Sequence, residues 1–269
     1  MHPILPRIFL SAIAVATTAC EITEPEVPLD LDSRLVLVAA LNPDSTRHPV
    51  IVWPAQTLDT VKGTVVRVYR EQVGSSGPRW TLVGETDHIE EDWTSCARRY
   101  GNPINDTQCL VPTATLEDGV TYRVEVFAQD KDTAWGATTA VGDFEVKSAE
   151  LFGEGADTLN AEWTEAVAAH RYMASLRELR AGNVIRRYVD GWYVAVDGTS
   201  VTTPVPEETI KKAVTPLTLD VAAMEVHLYS FITSGNGGSA FSVPPIQNIV
   251  GGFGVVGSVR YRSLTVKLK

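Results

Sequence analysis

Over its 269 residues the chain is 44% hydrophobic and 21% charged, an ordinary globular balance, and at roughly 100–150 residues per domain the length accommodates two domains. Formal charge is −10; residues 1–19 carry Arg7 as their one formal charge, so removing it from 23 basic residues leaves 22 against 33 acidic ones, or −11. That balance argues against nucleic acid as a partner, which needs a clustered basic surface, and against docking on anionic lipid through a polybasic face.

The N-terminus reads as an export signal. Arg7 precedes a short apolar run from Ile8 to Ala16, and Thr17-Thr18-Ala19 lead to Cys20, the order of basic, apolar and small residues that marks a cleaved leader. The run falls short of the ~20 residues a helix needs to cross the hydrocarbon. Small residues before Cys20 suit lipoprotein processing, in which the chain is cut before a cysteine that has received lipid, although Thr17 stands where a leucine is usual. Glu21 to Pro28 is acidic and carries two prolines, a composition that stays extended and acts as a spacer. The expectation is a signal peptide over 1–19 and a lipid-anchored tether over 20–32; ordinary secretion is the alternative.

Three cysteines is an odd number for an exported protein. With lipid on Cys20, Cys96 and Cys109 remain as a pair. They bracket a Gly-, Asn- and Pro-containing loop, and a disulfide there would contribute roughly 3 kcal/mol on a chain-entropy basis. A metal site would want a Cys-x-x-Cys spacing or paired histidines nearby, and neither is present.

From Ser33 to Lys147 the pattern is strand after strand. Arg34–Leu41 and Val50–Trp53 are apolar and rich in β-branched residues; Thr64–Arg70 and Arg79–Val83 flank a turn at Gly74–Pro78. Val120, Tyr122, Val124 and Val126 alternate with Thr121, Arg123 and Glu125. About seven short strands separated by turn signals read as an antiparallel sandwich. Leu116, Gly119 and Tyr122 follow one another at three-residue intervals, the spacing of the tyrosine corner in fibronectin type III and related sandwiches. With Trp53 on an early strand, this first domain (33–147) resembles a fibronectin type III or immunoglobulin-like module.

Leu151–Asp157 reads as a junction, and 148–269 as a second β domain. Thr158–Trp163, a gap, and then His170–Arg177 give a Trp-bearing strand followed by a Tyr-bearing one, again fibronectin-like. A helix competes over Glu165–Arg180, but Tyr172, Ala174 and Leu176 alternate with Met173, Ser175 and Arg177, which favours strand. Pro206–Ala213 has the proline, acids and lysines of a short helix. Met224–Phe231 and Ser258–Leu268 read as strands. The whole is expected to be all-β, with two tandem sandwiches.

Near the C-terminus, Phe241-Ser242-Val243-Pro244 leads to Asn248, Gly251-Gly252 and Gly254-x-x-Gly257. With Cys20-Glu21, Leu29-Asp30-Leu31 and Leu35-Val36-Leu37 at the other end, this resembles an uncharacterised family of bacterial outer-membrane lipoproteins, over about a fifth of the chain. Members of that family are often found beside TonB-dependent receptors. The resemblance implies a lipid-anchored accessory protein of the outer membrane, periplasmic or surface-facing, with no catalytic residues to carry over. The glycines themselves suit close backbone approach, as at an edge bulge or a tight lead-in to a strand. Gly252-x-Gly254-x-x-Gly257 matches a dinucleotide fingerprint in letters alone, because it precedes a strand and lies outside any βαβ unit.

The remaining chemistry is sparse. Asp87–Asp92 is acidic but lacks the Asp-x-Asp-x-Asp-Gly pattern of a calcium loop, so a solvated loop is favoured. His48, His88, His170 and His227 have no spaced partners for zinc, and no Gly-x-Ser-x-Gly elbow is present. Paired acids of a glycosidase would leave no local signature. Trp80, Trp93, Trp135 and Trp192 lie near turns, where they could stack on a sugar or peptide or pack as core. The expectation is therefore a non-catalytic, cofactor-free binding or accessory module, partnered by an outer-membrane receptor or another envelope protein. A stand-alone carbohydrate- or peptide-binding lipoprotein is the second reading and a hydrolase the third.

Overall fold

The computed structural model describes residues 33–55, 61–75, 77–90, 108–153, 157–178, 187–206, 217–234 and 248–269. Cys20, Cys96, Trp93 and the short helix expected after Pro206 lie outside them, as does the side chain of Trp192.

The first sandwich sets a three-stranded layer against a four-stranded one. β1 (Leu35–Leu41), β2 (Val50–Pro54) and β5 (Gln108–Leu110) form one layer. β3 (Val65–Gly74), β4 (Gly77–Thr86), β6 (Thr121–Phe127) and β7 (Ala134–Thr139) form the other, in the order β7-β6-β3-β4. Alternation explains the packing: Leu35, Leu37, Ala39 and Leu41 point inward from β1, and Val66, Val68, Tyr122, Val124 and Val126 meet them, all fully buried. Seven strands, with the alternation expected over residues 120–126, make this the fibronectin-like sandwich that the sequence indicated. Trp53 has a different position. It sits on the outer face of β2, packed with Val38, Ile51, Cys109 and Val255 outside the inter-sheet core.

The second sandwich repeats the plan. β8 (Val146–Phe152), β9 (Thr158–Trp163) and β12 (Ser200–Pro204) form one layer, joined at its edge by β16 (Lys267–Leu268). β10 (Arg171–Glu178), β11 (Arg187–Val196) and β13 (Leu217–Met224) belong to the other, and Trp163, Tyr172, Leu159 and Leu219 fill the space between. Strand wins over helix across residues 171–178 because Tyr172, Ala174 and Leu176 are buried on one side while β11 and β13 pair on both edges.

Three expectations need correction. Leu151 and Phe152 belong to β8 and pair with Leu159 and Thr158 of β9, so the junction does not fall at Leu151–Asp157. The second core begins at Val141, so the sandwiches meet near residues 140–143. Val226–Ser234 is a helix, α1, not a strand. The buried Glu225 carboxylate accepts the His227 N–H at 3.0 Å and the Leu228 N–H at 3.4 Å, which caps its first turn. Leu228 then packs against Gly257. The third concerns the division into 33–147 and 148–269, which does not hold for the last strands.

β14 (Ile249–Val250) pairs antiparallel with β7, at the edge of the first sandwich. β15 (Gly252–Thr265) then serves both sandwiches. Gly252–Ser258 run parallel to β1 over its whole length, and Val259–Thr265 run antiparallel to β13. One seven-stranded sheet, β11-β10-β13-β15-β1-β2-β5, results. The glycines permit this approach: at Gly254 φ is +107°, and a Cβ there would strike the Leu37 carbonyl.

Candidate functional site

The expected tyrosine corner is formed. Tyr122 is fully buried, and its hydroxyl accepts the Glu117 backbone N–H at 2.7 Å. Leu116 lies in the core and Gly119 adopts φ +72° at the turn. Burial raises the Tyr122 hydroxyl above its usual pKa, so it stays a neutral hydrogen-bonding group. Cys109 is fully buried and disulfide-bonded; the cysteine expected to join it, Cys96, is outside the described residues.

The histidines do not converge. His48 is buried with Nε2 2.9 Å from the Ala114 carbonyl oxygen. The His170 ring sits edge-on to Tyr229, and His227 Nδ1 lies 2.5 Å from Glu225. Of the acidic segment, Glu90 pairs with Arg47 at 2.5 Å, and Glu91 and Asp92 lie outside the described residues. Among the described residues no group of three or more His, Cys, Asp or Glu side chains could hold a metal. The Gly252–Gly257 run lies within β15, paired with β1.

Two charged and aromatic arrangements do emerge, and both combine residues distant in sequence. The first lies at the junction. Arg260, 5% exposed, points from β15 toward the loops of the first sandwich. Its Nη1 donates to Asp118 at 2.9 Å, and its Nε sits 3.2 Å from Asp44 as an ion pair. Arg262 reaches Asp44 at 2.6 Å and also pairs with Asp143, whose own N–H donates to Asp118 at 2.9 Å. The Arg260 guanidinium, outweighing partial burial, holds the Asp118 carboxyl below its usual range. For Asp143, burial pushes upward, but the Arg262 hydrogen bond, the Phe144 N–H and the two guanidinium charges together bring it below that range.

The second is the outer face of the sheet β14-β7-β6-β3-β4. Register places Val250 beside Trp135, Trp135 beside Glu125, and Glu125 beside Arg67. In the next row Arg123 lies between Ala137 and Tyr69, with Leu82 beyond. The Arg123 guanidinium stands 4.1 Å from the Trp135 ring centre and 5.9 Å from that of Trp80, and Arg67 lies 4.8 Å over Phe127. Such contacts each contribute ~0.5–1 kcal/mol at exposed sites. Glu125 pairs with Arg123 and is buried although it points outward. Burial, followed by the bond to Glu125, raises the Tyr69 hydroxyl pKa. Val250 and Leu82, about half exposed at 53% and 48%, leave apolar surface at either end of the strip.

Of the four tryptophans singled out from the sequence, the structure brings Trp80 and Trp135 together on one face. Arg123, which organises them, was missed. Its signal was available: it is the outward cation of a cleanly alternating strand. The Arg260-x-Arg262 pair was missed as well, although two arginines two apart near the end of an apolar strand mark one face.

No known family model matches the chain, and no curated protein matches it. Among solved structures, a biofilm-associated protein BSP domain is 11% identical with a TM-score of 0.27, over 87% of this chain and 29% of that one. The FN1–FN3 domains of chicken CNTN1 are 13% identical at 0.25, over 86% and 63%. CBD12 from CALX1.2 is 8% identical at 0.22, over 88% and 100%. The chain thus spans less than two thirds of the first two; the fold assignment rests on strand order and packing, and these likenesses carry no functional argument.

Proposed function

We propose that the protein is a non-catalytic lipoprotein of the outer membrane that binds another envelope protein, as the signal-like N-terminus, Cys20 and the resemblance of the two chain ends imply. The outer-face strip of Val250, Trp135, Arg123, Tyr69, Leu82 and Trp80 is the contact surface. The observation that carries this reading is Arg123 held between Trp135 and Trp80. Aromatic and arginine side chains fixed in a row on a rigid sheet have the composition of a protein-binding hot spot. The same geometry disfavours the carbohydrate alternative, because Arg123 occupies an indole face on which a sugar would stack. The resemblance implies an outer-membrane receptor of the TonB-dependent type as the partner.

A photo-crosslinking residue at Leu82 or Val250, in the full chain expressed in its own cells, tests this. The expected result is an adduct with an outer-membrane β-barrel protein at both positions, lost in Arg123→Ala, and no such adduct from Phe152 on the second sandwich. Equal labelling at all three positions, or none on the strip, overturns the assignment.

A further inference from the structure

The strand that receives the N-terminal tether is β1, and its neighbours decide how firmly that tether is held. In the first sandwich taken by itself, β1 would be an edge strand, paired with β2 alone. The segment from Asn248 to Ser258 changes this. β15 adds a second ladder, with seven consecutive parallel partners from Leu35↔Gly252 to Leu41↔Ser258. Asn248 locks the added segment across both layers. Its amide donates to the Ala137 carbonyl at 2.9 Å and the Val256 carbonyl at 2.6 Å, and its oxygen accepts the Val256 N–H at 2.9 Å. At the far end, Ser258 Oγ accepts the buried Val141 N–H at 2.9 Å.

The point where the chain enters β1 is pinned too. Ser33 Oγ donates to Asp132 at 2.9 Å, the Asp132 N–H donates to the Ser33 carbonyl at 2.9 Å, and the Ala55 N–H donates to the Arg34 carbonyl at 3.0 Å. An edge strand can be peeled away one pair at a time. A strand bonded on both sides and pulled from its end must shear two ladders together.

From this geometry we infer that residues 248–258 are a mechanical latch, which converts the tether-carrying strand from an edge strand into an internal one. Force on the tether is then resisted by the whole seven-stranded sheet. The physiological sense of the device rests on the tethered reading above, but the latch itself is a property of the folded chain.

Single-molecule force spectroscopy on the purified, unlipidated full chain tests it, so the result is independent of whether Cys20 carries lipid. One pair of handles is placed at Asp30 and Val73, pulling on β1. A control pair at Val73 and Asp130 loads β3 against β6, neither of which pairs with β1, β14 or β15. Asn248→Ala is expected to lower the rupture force at least two-fold on the first axis and leave the second unchanged, with Gly254→Ala behaving alike. Should either variant prove too unstable to pull, hydrogen exchange at 20 °C in the folded population reads the same effect, as a loss of protection in β1 exceeding that in β6. No loss on the tether axis, equal loss on both axes, or equal exchange in β1 and β6 overturns the inference.

Discussion

The Tyr172 hydroxyl accepts the backbone N–H of Ala166 at 2.8 Å, repeating in the second sandwich the bond that Tyr122 makes to Glu117 in the first. Both phenols are buried, and both bonds tie a strand to the loop that precedes it. In each, Tyr→Phe leaves the ring packing intact while orphaning one N–H, at a cost of about 1–2 kcal/mol. Urea denaturation of Tyr122→Phe and Tyr172→Phe should show losses of this size; a change under 0.3 kcal/mol in both would mean the hydroxyls are incidental.

The two corners turn differently. Gly119 takes φ +72° in the first, whereas Ala168 takes φ +61° in the second. A left-handed alanine costs roughly 1–2 kcal/mol, partly offset in a glycine variant by greater unfolded-state freedom. Ala168→Gly is expected to raise stability by about 0.5–1 kcal/mol. Gly119→Ala should lower it, since its Cβ would also crowd Val167 at 3.3 Å. The melting temperatures of the two variants should therefore move in opposite directions.

Acid should weaken the junction. Asp118 and Asp143 both have folded-state pKa values depressed below the ordinary carboxylate value. Their stabilisation is therefore fully present above the unfolded value of ~3.9 and is lost as pH falls from there through the lower folded values. Urea midpoints measured from pH 7 to pH 2.5 should fall on the acid side, and Asp118→Asn should flatten that limb. An unchanged limb would place the acid sensitivity elsewhere.

Because β15 belongs to both sandwiches, neither can lose it alone. Calorimetry of the full chain should give one transition, with calorimetric and van't Hoff enthalpies in agreement. Two resolved transitions would show that the halves of β15 detach separately.

The cysteines give the most direct chemical check. The membrane-extracted chain is expected to begin at Cys20 with a triacyl mass increment, absent in Cys20→Ala, and to resist thiol labelling at Cys96 and Cys109 until reduced. A mature chain cut elsewhere, with Cys20 unmodified, would leave a secreted protein instead.

The sequence by itself determined the local architecture. Alternation over residues 120–126 set which side chains enter the inter-sheet core, because a strand's period of two leaves no other way to bury that face. The spacing of Leu116, Gly119 and Tyr122 specified a corner whose parts all lie within seven residues. The glycines of residues 251–257 signalled close backbone approach, but not what they approach. Only the tertiary structure decided that they lie against β1, over 200 residues away, because a strand's sequence records its two faces and not its edge partner. Met224–Phe231 read as a strand although the Glu225 cap of its helix is local; the seat of Leu228 on Gly257 is supplied by folding. Arg260 with Asp118, and Arg123 with Trp135, are likewise pairings across strands and loops. Their chemistry was present in the sequence; the return of the chain through β15 brought Arg260 to Asp118, and the pairing of β6 with β7 set Arg123 against Trp135.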